Sequence, residues 1–324
     1  MSRSAVARWL GMLCCGLSSL LAQAQPQVLD LRGYTDATGA ITVQYQGDTV
    51  DPYFALQALG VAQSHGLDIS PYALAWARWL AQRYQEAGHI GRYCQSGVKP
   101  LTTWRWCKPP DADDSSLALW LQFLHRLPSS VRDQLPIDTL QARAAQDLRQ
   151  LNNPATGLYH VSPHIRHSLF MDNLEVWSAW PSPSLARAIQ RTFWDPALQL
   201  YRVSTQASHP HPDTHFYPDA TAQIYPLLWD FPLASGNAHA HYTRWMKQHR
   251  ARWLAQSGHE FPWGLVALVA WRQGDWPSVR CWQQRALPHR HSALWTVTDE
   301  VIAQILPRPP MTPTLNTPSQ ENCT

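Results

Sequence analysis

Apolar residues recur with helical spacing along most of the chain from residue 51 onward. In one such segment Leu74, Trp76, Ala77, Leu80 and Ala81 form one stripe, between an opening Ser-Pro pair and a closing Gly. Eleven segments of this kind are predicted to be helices of about 10–15 residues. They span residues 51–66, 70–88, 114–126, 137–150, 172–180, 182–193, 219–229, 238–255, 262–273, 277–286 and 293–305.

The order of these elements predicts an all-α fold. Only Ile41–Tyr45 alternates like a short strand, after a turn at residues 38–40, and no alternation of strands and helices follows. Short loops between successive helices favour helical hairpins packed side by side. Eleven predicted helices are close to the twelve of six hairpins, so we predict an (α/α)6 toroid over residues 25–306, with a short β-like N-terminal segment.

The two ends of the chain differ from this pattern. Arg3 and Arg8 precede an apolar stretch at residues 9–21, and Ala22-Gln23-Ala24 fits a cleavage site, which predicts a signal peptide over residues 1–24. The apolar stretch is too short to span a bilayer. Residues 307–324 are rich in Pro, Thr and Asn, and we predict a disordered tail there. The protein is expected to be periplasmic or secreted.

Charge and composition narrow the possible functions. The net charge of the 324 residues is +3, and removal of residues 1–24 takes away two arginines and no acid, which leaves +1. Such a balance is not typical of nucleic-acid binding, and no later segment suggests membrane association. The 17 tryptophans can fill a large helical core, and some can stack on sugar rings in a groove.

Four cysteines remain after the predicted cleavage site, namely Cys94, Cys107, Cys281 and Cys323. In an oxidising compartment Cys94 and Cys107 could close a loop around Trp104 and Trp106, or both could remain thiols. These two tryptophans are candidate substrate-binding residues. Cys323 lies in the predicted tail and supports no prediction. The Cys and His spacings do not resemble a zinc site, and we expect no metal and no cofactor.

Acidic residues are concentrated at predicted helix starts. The first cluster is Asp111-Ala112-Asp113-Asp114, in which Asp111 and Asp114 share one helix face. Helix capping explains one or two of these acids, but not three acids and two following serines. The order D-x-D-D also occurs in class II terpene cyclases, a minor alternative because those enzymes usually place the site between two toroids.

Two further clusters follow along the chain. Asp172 and Glu175 are three residues apart, which suits either a functional pair or a capping box with Asp172 as its N-cap. Asp219 follows Tyr217-Pro218 at another helix start and is either a cap or a third functional acid. Asp51 is expected to be only a cap, and Glu260 is a weaker candidate. In a helical toroid such junctions meet at the mouth of the central funnel.

Paired acids suit glycosidic bond hydrolysis, which needs a proton donor and a second carboxylate as base or nucleophile. Nearby acids in an aromatic pocket can keep one of them protonated. No phosphate-binding loop, nucleophile elbow or metalloprotease helix occurs in the sequence. The predicted partner is therefore a polysaccharide or oligosaccharide.

Four short motifs occur in order, at residues 51–54, 111–121, 170–176 and 217–226. Together they resemble an uncharacterised bacterial family of the six-hairpin glycosidase-like superfamily, over roughly residues 40–280. That family is similar in fold to family 8 glycoside hydrolases and to unsaturated glucuronyl hydrolases. The resemblance implies an (α/α)6 toroid with a sugar-binding cleft. The residues that match the family's acidic positions are Asp111, Asp114, Asp172, Glu175 and Asp219.

Three functions follow as hypotheses. The first is an exported glycoside hydrolase with Asp114 as general acid, Asp172 or Asp219 as base, Glu175 orienting, and Asp111 and Tyr217 binding substrate. The second is a non-catalytic carbohydrate-binding or assembly protein, because Leu174 and Trp177 depart from the family's pattern. The third is a polysaccharide lyase with Tyr217 or His215 as base.

Overall fold

The computed structural model describes residues 26–97, 103–206, 215–307 and 323. The predicted signal peptide and most of the predicted tail lie outside these residues. Within them the chain is mainly helical, as predicted. The helices are α1 (Pro52–Ser64), α2 (Ser70–Ala87), α3 (Asp113–Arg126), α4 (Ser129–Arg132), α5 (Ile137–Gln150), α6 (Phe170–Ala179), α7 (Pro183–Phe193), α8 (Thr221–Leu228), α9 (Ala238–Ala255), α10 (Gly264–Arg272), α11 (Trp276–Ala286) and α12 (Val297–Ile305).

Six of these helices form a closed inner ring. Helix α1 packs on α3, α3 on α6, α6 on α8, α8 on α10, α10 on α12, and α12 returns to α1. Helices α5, α7, α9 and α11 pack against the inner helices that precede them, and α2 follows α1 along the chain. The contacts therefore confirm the predicted toroid of helical hairpins.

The sixth hairpin differs from the prediction. Within the described ranges α12 has no outer partner helix, and parts of the non-helical segment 26–48 contact it instead. Asp30 and Gln304 exchange two hydrogen bonds, from Asp30 N to Oε1 (2.9 Å) and from Nε2 to Asp30 O (2.7 Å). Val297 N also donates to Val43 O at 2.8 Å. The N-terminal segment thus occupies the position of the outer helix that would complete the sixth hairpin with α12.

Local sequence signals explain where many helices begin. Asp51 caps α1 through Tyr53 N at 3.1 Å, as predicted, and Thr296 and Asp299 form a reciprocal capping box at α12. All eleven predicted helices are present. The four-residue helix α4 was not predicted, and a single π-helical turn at Phe216–Ala220 precedes α8.

The strands differ more from the prediction. Residues 41–45 form isolated β-bridges, from Ile41 to Thr35 and from Gln44 to Thr296, instead of a continuous strand, in keeping with the predicted β-like character of this segment. An unpredicted antiparallel sheet instead joins β1 (Thr49–Val50), β2 (Arg92–Ser96) and β3 (Thr103–Lys108). Short pairs also occur at β4 (Asn152–Asn153) with β5 (Leu158–Tyr159), and at β6 (Trp194–Asp195) with β7 (Leu200–Tyr201).

Two disulfides fasten segments that helical packing does not hold. Cys94 in β2 pairs with Cys107 in β3, so of the two alternatives left open by the sequence the structure has the disulfide. Cys281 in α11 pairs with Cys323, which the sequence had not indicated. The predicted tail is therefore attached to the toroid at this one described residue.

The core is rich in aromatic residues, as the tryptophan content suggested. Among the described residues five tryptophans are completely buried, namely Trp76, Trp120, Trp253, Trp282 and Trp295. Large aromatic side chains contribute the most apolar area to such a core. Among the described helices, none has the length and apolar character needed to cross a membrane.

Candidate active site

One cavity lies where the inner ring's helix starts converge. Its volume is about 330 Å³, and its walls include residues at or just before the N-terminal ends of α1, α3, α6, α10 and α12, together with the turn before α8. The predicted gathering of loop-to-helix junctions therefore matches the structure. Helix N-termini carry partial positive charge, which favours anionic groups at this end of the ring.

One carboxyl group on the cavity wall, that of Asp172, interacts with two buried carboxyl groups behind it, those of Asp114 and Glu175. Asp172 is half-buried and lines the wall, while Asp114 is fully buried and Glu175 is 1% exposed. In each of them one oxygen is buried without a hydrogen-bond partner: Oδ2 of Asp114, Oδ2 of Asp172 and Oε2 of Glu175. The Ser115 hydroxyl lies close to Asp172 and Glu175, and its polar interaction with each carboxyl group lowers the pKa of both. We call Asp114, Asp172 and Glu175 the acid cluster.

Burial raises the pKa of every carboxyl group in the acid cluster, and repulsion between the acids raises those of Asp114 and Asp172 further. Burial and then the negative charges of Glu175 and Asp111 raise the pKa of Asp172 to about 8. Burial and then Asp172 raise the pKa of Asp114 well above its usual value. Burial raises the pKa of Glu175 to about 7, against hydrogen bonds that lower it. Protonated and ionised carboxyls therefore coexist here near neutral pH.

Two tyrosines support Glu175 from the inner helices. Oε1 of Glu175 accepts hydrogen bonds from the hydroxyls of Tyr225 and Tyr53, the latter at 2.7 Å. Gln57, one turn after Tyr53 on α1, donates to both hydroxyls at 2.9 and 3.0 Å. This network favours the ionised form of Glu175 and fixes its orientation.

Asp172 and Glu175 do not form the capping box that their spacing allowed. The residue before α6 is Leu169, and no side chain caps this helix. Asp172 lies inside the first turn and does not form a capping box with Glu175. Similarly, Ala112 precedes α3, and Asp114 only accepts from the adjacent Ser115 N at 2.9 Å. These acids are buried without the local benefit that a cap would supply.

An ion-pair network forms one rim of the cavity. Arg92 on β2 donates to Asp51 and to Asp111, and Lys108 lies 3.2 Å from Asp111. The Cys94–Cys107 disulfide ties β2 to β3 next to this arginine. Asp51 therefore lines the cavity as well as capping α1, and Asp111 is an exposed rim residue.

Aromatic side chains form a second wall. Tyr217 is 58% exposed and stacks on Trp263 with ring centroids 5.2 Å apart, and Phe261 lines the same cavity. Trp263 adopts a left-handed backbone conformation with φ of 50°, which is uncommon for a bulky residue and concentrates at functional sites. Flat exposed rings of this kind suit contact with apolar faces of sugars.

Some predicted site residues lie elsewhere. Oδ2 of Asp219 accepts a 3.0 Å hydrogen bond from His215 N, and Asp219 does not line the cavity, so its catalytic role stays a prediction. Trp104 donates to Asp36 at 2.6 Å, and Trp106 is 50% exposed on β3. Neither tryptophan lines the cavity, and their substrate-binding role also stays a prediction. Asp113, the second acid of the D-x-D-D motif, is absent from the cavity wall as well.

Sequence reasoning missed several residues of the site. Tyr53 and Tyr225 stand in the motifs that carried the family resemblance, but nothing local marks them as partners of Glu175, 122 and 50 residues away. Arg92 stood in a stretch without any motif. Among the described residues no group of three or more His, Cys, Asp or Glu side chains is arranged to hold a metal ion.

The comparisons with known proteins add little beyond this geometry. No protein-family model and no curated relative matches the chain. Among solved structures, the endo-β-1,4-glucanase CMCax from Acetobacter xylinum is similar at a TM-score of 0.47 and 13% identity, over 85% of this chain and 94% of that chain. The fold therefore stands on the helix contacts, and the function is argued from the site.

Proposed function

We propose that the chain is an exported glycoside hydrolase that acts on a polysaccharide at the acid cluster. The observation that carries the proposal is the set of unpartnered carboxyl oxygens on Asp114, Asp172 and Glu175. Folded proteins satisfy nearly all buried polar atoms, and three orphaned carboxyl oxygens that lie together beside one cavity favour a functional role over a structural one.

Asp172 is the proposed proton donor because it lines the cavity and keeps its proton near neutral pH. Its proton goes to the glycosidic oxygen as the bond to the anomeric carbon breaks. Water adds to that carbon, and the proton of the water passes to a second carboxylate. The sequence proposed Asp114 as donor, but its full burial behind the cavity wall favours Asp172 for direct contact.

The carboxylate that accepts the proton of the water is one of the remaining acids, and experiment must identify it. Asp114 and Glu175 are buried beside Asp172, and Asp219 stays the sequence-based candidate for the base. Asp111 is at the rim but already pairs with Arg92 and Lys108. Variants that neutralise each acid singly separate these roles.

The aromatic wall supports a sugar as the substrate. Tyr217, Trp263 and Phe261 offer apolar ring surface beside polar and ionisable groups, a combination that suits a sugar's apolar faces and hydroxyls. Two disulfides support export, because such bonds persist mainly in oxidising compartments. The predicted signal peptide agrees with that location.

The lyase alternative has less support. A lyase would need a tyrosine or histidine base, and Tyr217 is the candidate on the cavity wall. Partial enclosure and then the charges of Asp172 and Glu175 raise the pKa of Tyr217 to about 12, so its hydroxyl is a poor base near neutral pH. His215 does not line the cavity.

The test is reducing-end release from a panel of soluble polysaccharides, followed also by ultraviolet absorbance of unsaturated products. Wild type is compared with Asp172→Asn, Asp114→Asn, Glu175→Gln and Asp219→Asn, with the exposed Asp133→Asn as matched control. We expect release by wild type and by Asp133→Asn, and a loss of at least about 100-fold in Asp172→Asn.

Three results would contradict the proposal. Full activity of Asp172→Asn would remove its role as donor, and release with new absorbance would indicate a lyase. No release from any polymer, with retained sugar binding in all variants, would favour the non-catalytic carbohydrate-binding protein. Folding of each variant is verified by its unfolding midpoint.

A further inference from the structure

A second cavity lies at the opposite end of the inner ring. Its volume is about 540 Å³, and it is formed by the C-terminal halves of α3 and α6, the first half of α5, and the residues that follow α6. Helix α3 contributes its N-terminal end to the first cavity and its C-terminal end to this one. The residues of α3 that line the first cavity, Ser115 and Ser116, lie roughly 8–16 Å along the helix axis from those that line the second, Leu121 to Arg126.

The wall of this second cavity carries an exposed tryptophan. Trp180 is 51% exposed, directly after α6, and makes no ring contact with another aromatic side chain in the part of the chain that the structure describes. A large aromatic side chain so exposed on a cavity wall is a common anchor for a ligand.

Three side chains without hydrogen-bond partners among the described residues share the cavity wall with the indole. The side chains of His125, Asp138 and Gln141 line the cavity, and within the described ranges none of them forms a hydrogen bond or an ion pair. Gln122, by contrast, is fixed by donation to Ser178 O at 3.1 Å. The cavity thus combines one flat apolar face with an imidazole, a carboxylate and an amide free to bind.

A third cavity, next to the one at Trp180, serves as a comparison because it lacks the features of a ligand site. Its volume is about 550 Å³, but no aromatic residue lines it. Each polar or charged side chain that lines it takes part in at least one hydrogen bond: Gln63 donates to Arg126 O at 3.0 Å, Arg126 to Ser64 Oγ at 3.0 Å, and Asp68 accepts from Ser70 N at 2.9 Å. Size alone therefore does not distinguish the cavity at Trp180, whereas its chemistry does.

We propose that the cavity at Trp180 is a second saccharide-binding site, which holds a segment of the polymer away from the acid cluster. The indole face would contact the apolar face of a sugar ring, and Gln141, Asp138 and His125 would bind its hydroxyls. The choice of a sugar chain as occupant rests on the proposed function. Attachment at two sites raises the effective concentration of a long chain at the first cavity, and a short oligosaccharide gains nothing from it.

The test is native affinity electrophoresis through gels that contain hydroxyethyl cellulose, xylan, glycol chitosan, soluble starch or alginate. Wild type is compared with Trp180→Ala and Gln141→Ala, with Trp276→Ala as the matched control. Trp276 is a 42% exposed tryptophan that does not line the cavity. We expect Trp180→Ala to bind the retarding polymer about ten-fold more weakly, with a smaller loss for Gln141→Ala and none for Trp276→Ala.

Turnover is measured on the same polymer and on short oligosaccharides cut from it. Trp180→Ala should lose activity on the polymer and keep activity on the oligosaccharides. Equal retardation of wild type and Trp180→Ala, or no retardation of wild type by any polymer, would overturn the second site. If no variant shows turnover but Trp180 still controls retardation, the proposed function fails and the second site stands.

Discussion

The hydroxyl of Tyr53 donates a 2.7 Å hydrogen bond to Oε1 of Glu175, joining the first inner helix to the third across 122 residues. Tyr225 on α8 donates to the same oxygen. Three of the six inner helices therefore meet at one carboxylate. Because both hydroxyls lower the pKa of Glu175 against the effect of burial, they allow it to be ionised beside the protonated Asp172.

Replacement of Tyr53 by Phe tests this support. Loss of one donor should raise the pKa of Glu175 further above about 7, because the remaining interactions no longer offset burial as well. A hydrogen bond to a charged group contributes roughly 1.5 kcal/mol, which corresponds to about one pH unit. If turnover requires ionised Glu175, the acidic limb of the profile of kcat/KM against pH should move up by about that amount.

The control is Tyr242→Phe, because Tyr242 donates to Asp275 at 2.7 Å in the outer layer of the toroid. It loses the same kind of hydrogen bond and should lose some stability, but its pH profile should match wild type. An unmoved profile in Tyr53→Phe, or the same shift in both variants, would show that the Tyr53 contact is only structural.

The acid cluster should also make stability depend on pH. A raised pKa in the folded state means that stability is fully present below about pH 4 and is lost as pH rises through about 7 for Glu175 and about 8 for Asp172. Asp172→Asn removes one of these titrations. The variant should therefore be more stable than wild type by about 1–3 kcal/mol at pH 9, with little difference at pH 4.

Urea unfolding at pH 4, 7 and 9 measures this effect, and Asp133→Asn is the exposed control. A variant that is less stable than wild type at pH 9 would mean that Asp172 contributes favourable contacts in its ionised form. That result would contradict both the burial argument and the role of proton donor.

The helices could be predicted from sequence because their signals are local. Asp51-Pro52 caps α1 and Thr296 caps α12 through neighbours within three residues. The β2–β3 hairpin was missed because its strands are mostly exposed or only partly buried, so they lack the buried hydrophobic face by which a strand is recognised in sequence. The Cys281–Cys323 bond spans 42 residues, and no local pattern encodes such a contact.

The site was predictable only in part, for a similar reason. Spacing placed Asp172 and Glu175 on one helix face, but the same spacing fits a capping box, and only the position of Leu169 as the residue before α6 separates the two. Asp111 was misleading in the opposite way. It belongs to the most acidic motif in the sequence, but its side chain is exposed at the rim of the cavity and is not part of the acid cluster. Burial and cross-helix contacts decide which acids form the cluster.

The two disulfides should differ in their effect on activity. Cys94→Ser with Cys107→Ser opens a loop of 13 residues, and Cys281→Ser with Cys323→Ser opens one of 42. Chain entropy predicts losses of about 3 and about 4 kcal/mol in the free energy of unfolding. Only the first pair adjoins Arg92 at the cavity, so only its removal should raise KM in the protein that remains folded.

Urea unfolding and steady-state kinetics at 15 °C separate these effects, with wild type in reductant as a control for the loss of both bonds. A raised KM in the Cys281–Cys323 variant, or an unchanged KM in the Cys94–Cys107 variant, would contradict the assigned role of the β2–β3 hairpin in shaping the cavity rim.

Removing Arg92 alone should destabilise the protein more than removing the charges of both Arg92 and Asp51. The side chains are 20% and 7% exposed, and burial raises the pKa of Asp51 while the charge of Arg92 lowers it. Arg92→Met removes that compensation and should cost about 2 kcal/mol near pH 7, because a nearly buried carboxylate loses its partner. Without Arg92 the folded-state pKa of Asp51 rises further, so the loss of stability grows as pH rises and Asp51 ionises. The cost should therefore vanish towards pH 4, where Asp51 is protonated in the folded protein.

A double-mutant cycle provides the decisive measurement. Asn is as good a helix cap as Asp, so Asp51→Asn keeps the start of α1 and removes only the charge. The double variant Arg92→Met with Asp51→Asn should therefore be more stable near pH 7 than Arg92→Met alone, with a coupling energy of about 1–2 kcal/mol. Additive losses would mean that Arg92 acts through Asp111 instead, and Arg92→Met with Asp111→Asn would then show the coupling.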